Sequence, residues 1–85
     1  MTNKVIVYST PNCSQCEATG MLLGRYEIPF EKIDVSEDWR KINEFKAKGY
    51  MSFPIVIAGE SEWSGFRPDL IKKYRAVLDK EAQGK

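Results

Sequence analysis

A pair of cysteines near the start of the chain constrains its fold more than any other feature. Cys13 and Cys16 are the only cysteines in the 85 residues, and two residues separate them. The β-branched run from Lys4 to Tyr8 comes shortly before them and predicts a buried strand. Residues 9–12 are of types that favour turns, and apolar side chains then follow at helical spacing. The pair is therefore expected where a buried strand gives way to the first turn of an amphipathic helix.

Three helices are predicted from apolar spacing and from residues that start or stop helices. The first covers about residues 14–26, and Pro29 ends any continuation. Ser36 is the expected cap of the second, which Gly49 stops, and Pro68 suits the first turn of the third. The side chains expected to face inward are Ala18, Met21, Leu22 and Tyr26 in the first helix, Trp39, Ile42 and Phe45 in the second, and Leu70, Ile71, Tyr74, Val77 and Leu78 in the third.

Three further segments predict strands, so that the elements follow the order β-α-β-α-β-β-α. They are Phe30–Val35, Phe53–Ala58 and Glu62–Ser64. The β-α-β unit places two strands in parallel through a right-handed crossover, and the closing β-β step implies a hairpin. The sequence therefore predicts an α/β fold with a small four-stranded mixed sheet flanked by three helices. Residues 1–80 are expected to form this single domain and residues 81–85 a polar C-terminal tail, since a chain this short allows only one core.

The composition argues against several classes of protein. Thirteen basic and twelve acidic side chains leave a net charge of +1, and the chain has no His. A protein built around nucleic acid usually carries a basic excess, so we expect no nucleic-acid partner. The longest apolar runs have four residues, against the roughly 20 that a membrane-spanning helix needs. We therefore expect no membrane partner, and no secretion signal is visible before the first strand.

Three roles compete for Cys13 and Cys16. A structural disulfide that closes so short a loop gains only about 2 kcal/mol, and a cytosolic setting would keep it reduced. A zinc or iron–sulfur site needs four ligands, so two Cys and no His would require a second subunit or an external thiol. Dithiol–disulfide exchange fits best, because the start of a helix lowers a Cys pKa from about 8.5 to within about 3.5–7.5. We expect Cys13 to be the exposed nucleophile and Cys16 the deeper, resolving thiol.

Four stretches of the sequence resemble those of one family. They are Cys13-Ser14-Gln15-Cys16, Phe53-Pro54, Ile55-Val56-Ile57-Ala58-Gly59 and Trp63-Ser64-Gly65-Phe66-Arg67-Pro68-Asp69. On these motifs the chain resembles the NrdH-redoxins, small glutaredoxin-like proteins that behave functionally like thioredoxins. The resemblance covers residues 5–71. It implies a thioredoxin fold, a redox-active disulfide between Cys13 and Cys16, and no cofactor bound within the chain.

The resemblance also implies two protein partners. Proteins of this family supply electrons to a class Ib ribonucleotide reductase, and thioredoxin reductase re-reduces them with NADPH, which acts only through that reductase. We expect a cytoplasmic monomer in cell redox homeostasis and deoxyribonucleotide synthesis. The expected partner-binding residues are Pro11, Ser14, Gln15, Phe53, Pro54, Trp63, Ser64, Gly65, Phe66 and Arg67.

Some of these residues have more definite expected roles. Pro54 is expected to follow a cis bond and face the dithiol, which exposes the Phe53 backbone to pair with a substrate peptide. Composition favours the core for Trp63 and Phe66, whereas the family pattern places one of them at the partner surface. Arg67 is expected in a hydrogen-bond network that holds the loop.

Two positions depart from the family pattern. The residue after the first cysteine is often Val or Met and is Ser14 here, and a common Gln two positions before the proline is Ser52. Both lie on the expected partner surface, so they bear on the choice of partner more than on the chemistry.

Two other interpretations stay open. One is a glutathione-dependent glutaredoxin, although its usual Thr-Val-Pro and Gly-Gly-x-Asp-Asp elements read Ser52-Phe53-Pro54 and Ser64–Asp69 here. The other is a binding module, either an inactive redoxin fold or a thiol-bridged iron–sulfur carrier dimer. Visible absorbance would reveal the cluster.

Overall fold

Four strands and three helices follow one another in the predicted order. The structure, a computed structural model, describes residues 5–83, with side chains through Lys80. Its elements are β1 Val5–Ser9, α1 Ser14–Arg25, β2 Phe30–Asp34, α2 Trp39–Ala47, β3 Ile55–Ala58, β4 Ser61–Ser64 and α3 Pro68–Gln83. Lys4, where the first predicted strand begins, lies outside the described residues. β3 begins at Ile55 rather than Phe53, because Pro54 has no N–H to donate to a ladder.

β1 lies inside a mixed sheet with the strand order β2-β1-β3-β4. It pairs in parallel with β2 and antiparallel with β3, and β4 pairs antiparallel with β3. The predicted sheet, with one parallel pair and one hairpin, is thereby confirmed. Tyr8, near the end of β1, lies opposite Ile55 at the start of β3. The segment that follows β1 and the segment that precedes β3 consequently meet at one edge of the sheet.

The main core lies between the sheet and the helices α1 and α3. Val5 and Val7 of β1, Leu23 of α1 and Ile71 of α3 are all almost completely buried in it. Burying an aliphatic side chain of this kind contributes about 1.5–3 kcal/mol relative to leaving it exposed. Because neighbouring strand residues alternate in direction, Tyr8 points to the other face, where α2 packs through aromatic rings. Helices therefore cover both faces of the sheet.

The start of α2 differs from the prediction. Asp38 rather than Ser36 is its N-cap, and the Asp38 carboxylate accepts a backbone N–H of the first turn at 3.1 Å. Phe45 is buried as expected, but Trp39 is 66% exposed. The two lie six residues apart, a spacing that turns Trp39 about 120° away from the buried face of a helix. The prediction placed Trp39, Ile42 and Phe45 on one face because they are three residues apart, but two such steps carry the first residue off the buried face.

The buried face of α1 is also rotated from the predicted one. Cys16, Thr19 and Leu23 are buried, whereas Met21 is 72% exposed. Thr19 is polar, so the apolar pattern did not select it. Its hydroxyl donates to the Gln15 carbonyl at 2.8 Å, which satisfies the buried oxygen within the helix. Burial of Cys16 on this face limits the access of other molecules to its sulfur.

α3 extends into the segment that was predicted to be a polar tail. The helix reaches Gln83, three residues into the expected 81–85 tail. Glu, Ala and Gln at positions 81–83 all favour helix, so the backbone has no local reason to stop at residue 80. Residues 84 and 85 lie outside the described residues. Positions 81–83 are therefore helical in backbone, and the domain limit at residue 80 stays a prediction.

Two glycines of α1 differ in what a methyl group would meet there. At Gly24 an added Cβ has open space, whereas at Gly20 it would lie 3.3 Å from the Phe30 ring. Gly24→Ala should raise the free energy of unfolding by about 0.5–1 kcal/mol, because Ala favours helix over Gly. Gly20→Ala should gain less, since the Phe30 ring has to move. Chemical denaturation measures both, and equal gains would contradict the packing of Phe30 on α1.

Candidate active site

Cys13 is the N-cap of α1, so its sulfur lies at the start of the helix. The chain reaches it through Asn12, whose φ of 57° is in the left-handed region that Asn tolerates better than most residues. The Sγ atom of Cys13 accepts the backbone N–H of Cys16, with an N–S distance of 3.1 Å. This hydrogen bond and the positive end of the helix dipole both favour a thiolate at Cys13.

The two sulfurs differ in exposure. Cys13 and Cys16 are joined in a disulfide, with 5.2 Å between their Cα atoms. Cys13 is half-buried, whereas Cys16 is only 1% exposed. A protein that carries a disulfide can therefore reach Cys13 but not Cys16. The geometry supports an attacking sulfur at the surface and a resolving sulfur beneath it.

The step from Phe53 to Pro54 lies against the dithiol. Its peptide bond is cis, as the family resemblance implies. The carbonyl oxygen of Phe53 is 3.7 Å from the Sγ atom of Cys13. Pro54 itself is buried, and its carbonyl accepts the Gly65 N–H at 2.7 Å. Pro54 thus supports the site from the inside, while Phe53 provides the backbone next to the reactive sulfur.

The loop from Ser64 to Arg67 is tied to the dithiol by a side chain. The Oε1 atom of Gln15 accepts the backbone N–H of Phe66 at 3.2 Å. Gly65 just before it has a φ of 86°, a backbone conformation that favours glycine. Gln15, which was expected to contact partners, therefore also makes a long-range contact within the molecule.

Arg67 does not hold this loop through its side chain, contrary to the expectation. Its guanidinium pairs with Asp69, with 3.1 Å between Nη2 and Oδ2, because that carboxylate lies within the same turn. The hydrogen bond from Arg67 holds the pKa of the Asp69 carboxyl below its usual value and raises the pKa of Arg67. The backbone carbonyl of Arg67 accepts the Ile71 N–H at the start of α3. The side-chain pairing of Arg67 is thus local.

Trp63 is a core residue, which corrects its assignment to the partner surface. It is 6% exposed and belongs to the main core. Its place in β4 opposite Val56 directs it to the face of the sheet that α1 and α3 cover. Phe66 lies outside the strand and is 36% exposed. Of these two aromatic side chains, Phe66 is the one that a partner can contact.

The residues predicted to contact partners fall into three groups by exposure. The exposed ones are Pro11, Ser14, Gln15, Phe66 and Arg67, the half-buried ones are Phe53 and Ser64, and the buried ones are Pro54, Trp63 and Gly65. The buried residues can shape the site but cannot form its contact surface. The exposed Ser14, Gln15 and Phe66 lie at the dithiol or are tied to it.

Glu62 on β4 contacts the segment between α2 and Pro54, and no motif in the sequence marks it. Its carboxylate lies 3.4 Å from the Nζ atom of Lys48. It also accepts a hydrogen bond from Tyr50, which raises the pKa of that phenol. Lys48 and Glu62 are 14 residues apart, and no local pattern in the sequence marks such a contact.

The described residues show neither a metal cluster nor a membrane-spanning helix. Among the side chains described, those of residues 5–80, no group of three or more Cys, Asp or Glu is arranged to hold a metal ion. Over the same residues, no helix is both long and apolar enough to cross a bilayer. α3, with 16 residues, carries charged side chains along its length.

Comparison with known proteins assigns the chain to a family. The glutaredoxin family profile matches residues 5–63. The glutaredoxin-like protein NrdH of Escherichia coli K12 is 36% identical over 70 residues, which are 82% of this chain and 86% of the relative. NrdH of Lactococcus lactis is 32% identical over 69 residues, 81% of this chain and 96% of the relative. The chain belongs to the NrdH-redoxins.

Solved structures agree with this membership. The NrdH-redoxin of Escherichia coli superposes with a TM-score of 0.77 at 36% identity, covering 82% of this chain and 92% of that one. A glutaredoxin of Archaeoglobus fulgidus superposes with a TM-score of 0.69 at 25% identity, covering 86% of each chain. The predicted thioredoxin fold and the NrdH-redoxin resemblance are both confirmed. This NrdH-redoxin is a thiol–disulfide oxidoreductase, and its redox-active pair is Cys13 and Cys16.

The unequal exposure of the two sulfurs predicts unequal reactivity. In the reduced protein near neutral pH, iodoacetamide should modify Cys13 on the order of tenfold or more faster than Cys16, because the exposed thiolate is the nucleophile. Fragment-ion mass spectrometry after partial alkylation locates the modified residue. Modification of Cys16 first would overturn the assignment of the attacking sulfur.

Proposed function

We propose that this NrdH-redoxin donates electrons to a class Ib ribonucleotide reductase and is re-reduced by thioredoxin reductase with NADPH. The observation that carries the proposal is the exposed Phe66, whose N–H donates to Gln15 between the two cysteines. The residues next to the dithiol carry little positive charge. An apolar surface of this kind suits docking of a folded protein. The protein binds no cofactor of its own in this cycle and works as a cytoplasmic monomer.

The two cysteines divide the reaction between them. The Cys13 thiolate attacks one sulfur of the substrate disulfide, which forms a mixed disulfide and expels the first substrate thiolate. The Cys16 thiolate then attacks the Sγ atom of Cys13, which expels the second substrate thiolate. Two electrons pass to the substrate, both of its thiolates take up protons, and the Cys13–Cys16 disulfide is left. The Cys16 N–H that donates to Cys13 supports the first step by stabilising the attacking thiolate.

The surface around Cys13 offers a partner both backbone and side-chain contacts. The backbone of Phe53, next to the sulfur, is available to pair with an extended segment of the partner. Pro11, Ser14, Phe66 and Ser64 extend the surface. Ser14 and Ser52 differ from the usual family residues, and we assign them to the choice of partner.

The charges near the site favour a protein reductant over glutathione. Glutathione is anionic, so a site for it should offer free cations near the thiolate. Asn12, Ser14 and Gln15 are neutral, and Glu17 in the first turn of α1 is acidic.

Two described cations, Arg67 in the loop after β4 and Lys41 over the Tyr8 ring, already have acidic partners. Arg67 pairs with Asp69 at 3.1 Å, and Lys41 pairs with Glu44 at 3.4 Å. The carboxylates of glutathione would have to compete with these side chains. The solved Escherichia coli NrdH-redoxin is described as having a thioredoxin-like activity profile, which supports the same preference.

A glutathione-dependent glutaredoxin remains the second candidate. The match of the glutaredoxin profile to residues 5–63 favours it. The two candidates share the Cys13–Cys16 chemistry and differ only in the source of electrons. The electron source therefore decides between them.

Single-cysteine variants test the division of labour. Cys13→Ser should abolish disulfide reduction, because the attacking sulfur is lost. Cys16→Ser should still attack and should accumulate a mixed disulfide through Cys13, because no second thiol releases the substrate. Mass spectrometry of the trapped adduct measures this, and the Cys13→Ser variant under the same conditions is the control. An adduct in Cys13→Ser rather than in Cys16→Ser would reverse the two roles.

A reduction assay tests the electron source. We expect NADPH with thioredoxin reductase to reduce the Cys13–Cys16 disulfide efficiently and glutathione with its reductase to do so poorly. NADPH oxidation at 340 nm follows both reactions, and a glutaredoxin serves as the positive control for the glutathione arm. The reduced protein should then support turnover of a class Ib ribonucleotide reductase. Comparable recycling by glutathione would instead favour the glutaredoxin alternative.

A further inference from the structure

Gln15 lies between the two cysteines and contacts a residue 51 positions further along the chain. Its Oε1 atom accepts the Phe66 N–H at 3.2 Å. The preceding N–H, that of Gly65, donates to the Pro54 carbonyl at 2.7 Å. Two successive N–H groups of one loop are therefore held, one by the dithiol helix and one by the segment before β3.

The contact to Gln15 is the one that a substitution can remove without disturbing the core. Gln15 and Phe66 are both exposed, so water can replace the amide oxygen as the acceptor for the Phe66 N–H. Without Gln15, the backbone of Phe66 loses its tie to α1. A partner that uses the Phe66 ring would then have to order the loop when it binds, which weakens binding.

We propose that Gln15 is a positioning residue for protein substrates. By accepting the Phe66 N–H, it holds the exposed Phe66 ring near the dithiol as a preformed apolar contact for a protein that carries the target disulfide. A small disulfide reacts at Cys13 without reaching Phe66 and gains nothing from this contact. The inference rests on the proposed function, since it takes protein disulfides as the substrates.

Three variants separate the hydrogen bond from other effects. Gln15→Leu removes the acceptor at similar side-chain size. Gln15→Glu places a carboxylate oxygen where the amide oxygen was, at the same number of bonds from the backbone, and so keeps an acceptor. Asn43→Leu is the matched amide-to-leucine control, because Asn43 is an exposed residue of α2 with no part in the site. Thermal unfolding confirms that each variant is folded.

Two disulfides provide the readout. The fully reduced protein is mixed with insulin as a protein disulfide and with 2-hydroxyethyl disulfide as a small one, and both second-order rate constants are measured. The ratio of the two constants is the quantity of interest. The effect of the added charge on the reactivity of the Cys13 thiolate is common to both reactions and cancels in this ratio.

Gln15→Leu should lower the insulin-to-small-disulfide ratio about fivefold, the size expected when one neutral hydrogen bond is lost. Gln15→Glu should return the ratio to within about twofold of the original, as should Asn43→Leu. Hydrogen exchange at the Phe66 amide should become faster in Gln15→Leu and stay slow in Gln15→Glu, which reports the bond without any substrate.

A double substitution tests whether Gln15 acts through Phe66. Phe66→Ala should lower the same ratio, and Gln15→Leu combined with Phe66→Ala should lower it no further. Residues that act through one another give such non-additive effects, whereas independent residues add. Additive losses would overturn the role of Gln15 in holding the Phe66 ring.

Two further results would contradict the proposed role of Gln15. Fast hydrogen exchange at the Phe66 amide of the original protein would refute the proposal. So would equal decreases in the rate constants for insulin and for 2-hydroxyethyl disulfide in Gln15→Leu. Neither result depends on thioredoxin reductase or on ribonucleotide reductase. Failure of the proposed function would appear instead as poor reduction of the original protein by thioredoxin reductase, with the Gln15 effects on insulin unchanged.

Discussion

The pairing of β1 with β3 is the constraint on which the active site depends. Because Tyr8 lies opposite Ile55, the segment leaving β1 and the segment entering β3 meet at the same edge of the sheet. The first segment carries the dithiol, and the second carries the cis Phe53–Pro54 step. The contact between the Cys13 sulfur and the Phe53 carbonyl, across 40 residues of sequence, follows from that register. A shift of one residue in the pairing would reverse the faces of β3 and separate the two.

The helix that begins at the dithiol makes the two sulfurs unequal. Its first turn directs the Cys16 N–H at Cys13, leaves the Cys13 sulfur half-buried and takes the Cys16 side chain into the interior. One short motif thus provides both an exposed, stabilised thiolate and a protected second thiol. Dithiol–disulfide exchange moves electrons between sulfur atoms, so this inequality bears directly on the reaction.

The corrections at positions 63–69 concern which neighbours a side chain meets in the folded chain. The sequence pattern around positions 63–69 led to a partner surface that included Trp63 and a network through Arg67. In the structure, strand alternation turns Trp63 inward, and Asp69 within the same turn takes the Arg67 guanidinium. The loop is instead tied to the dithiol by Gln15. A side chain has several partners within reach of its sequence position, and packing decides which of them it meets.

The sequence by itself determined the order of the elements, the mixed sheet and the chemistry of the cysteine pair. These depend on local propensity, on the handedness of β-α-β crossovers and on the electrostatics of a helix start, all of which belong to segments that are continuous in the sequence. The tertiary structure alone decided which face of α1 is buried, which aromatic residue of the 63–66 segment is exposed, and that Glu62 and Gln15 support the loops around the dithiol. These contacts join residues 14 to 51 positions apart. Their partners are chosen by the register of the sheet and the rotation of the helices, which no local pattern encodes.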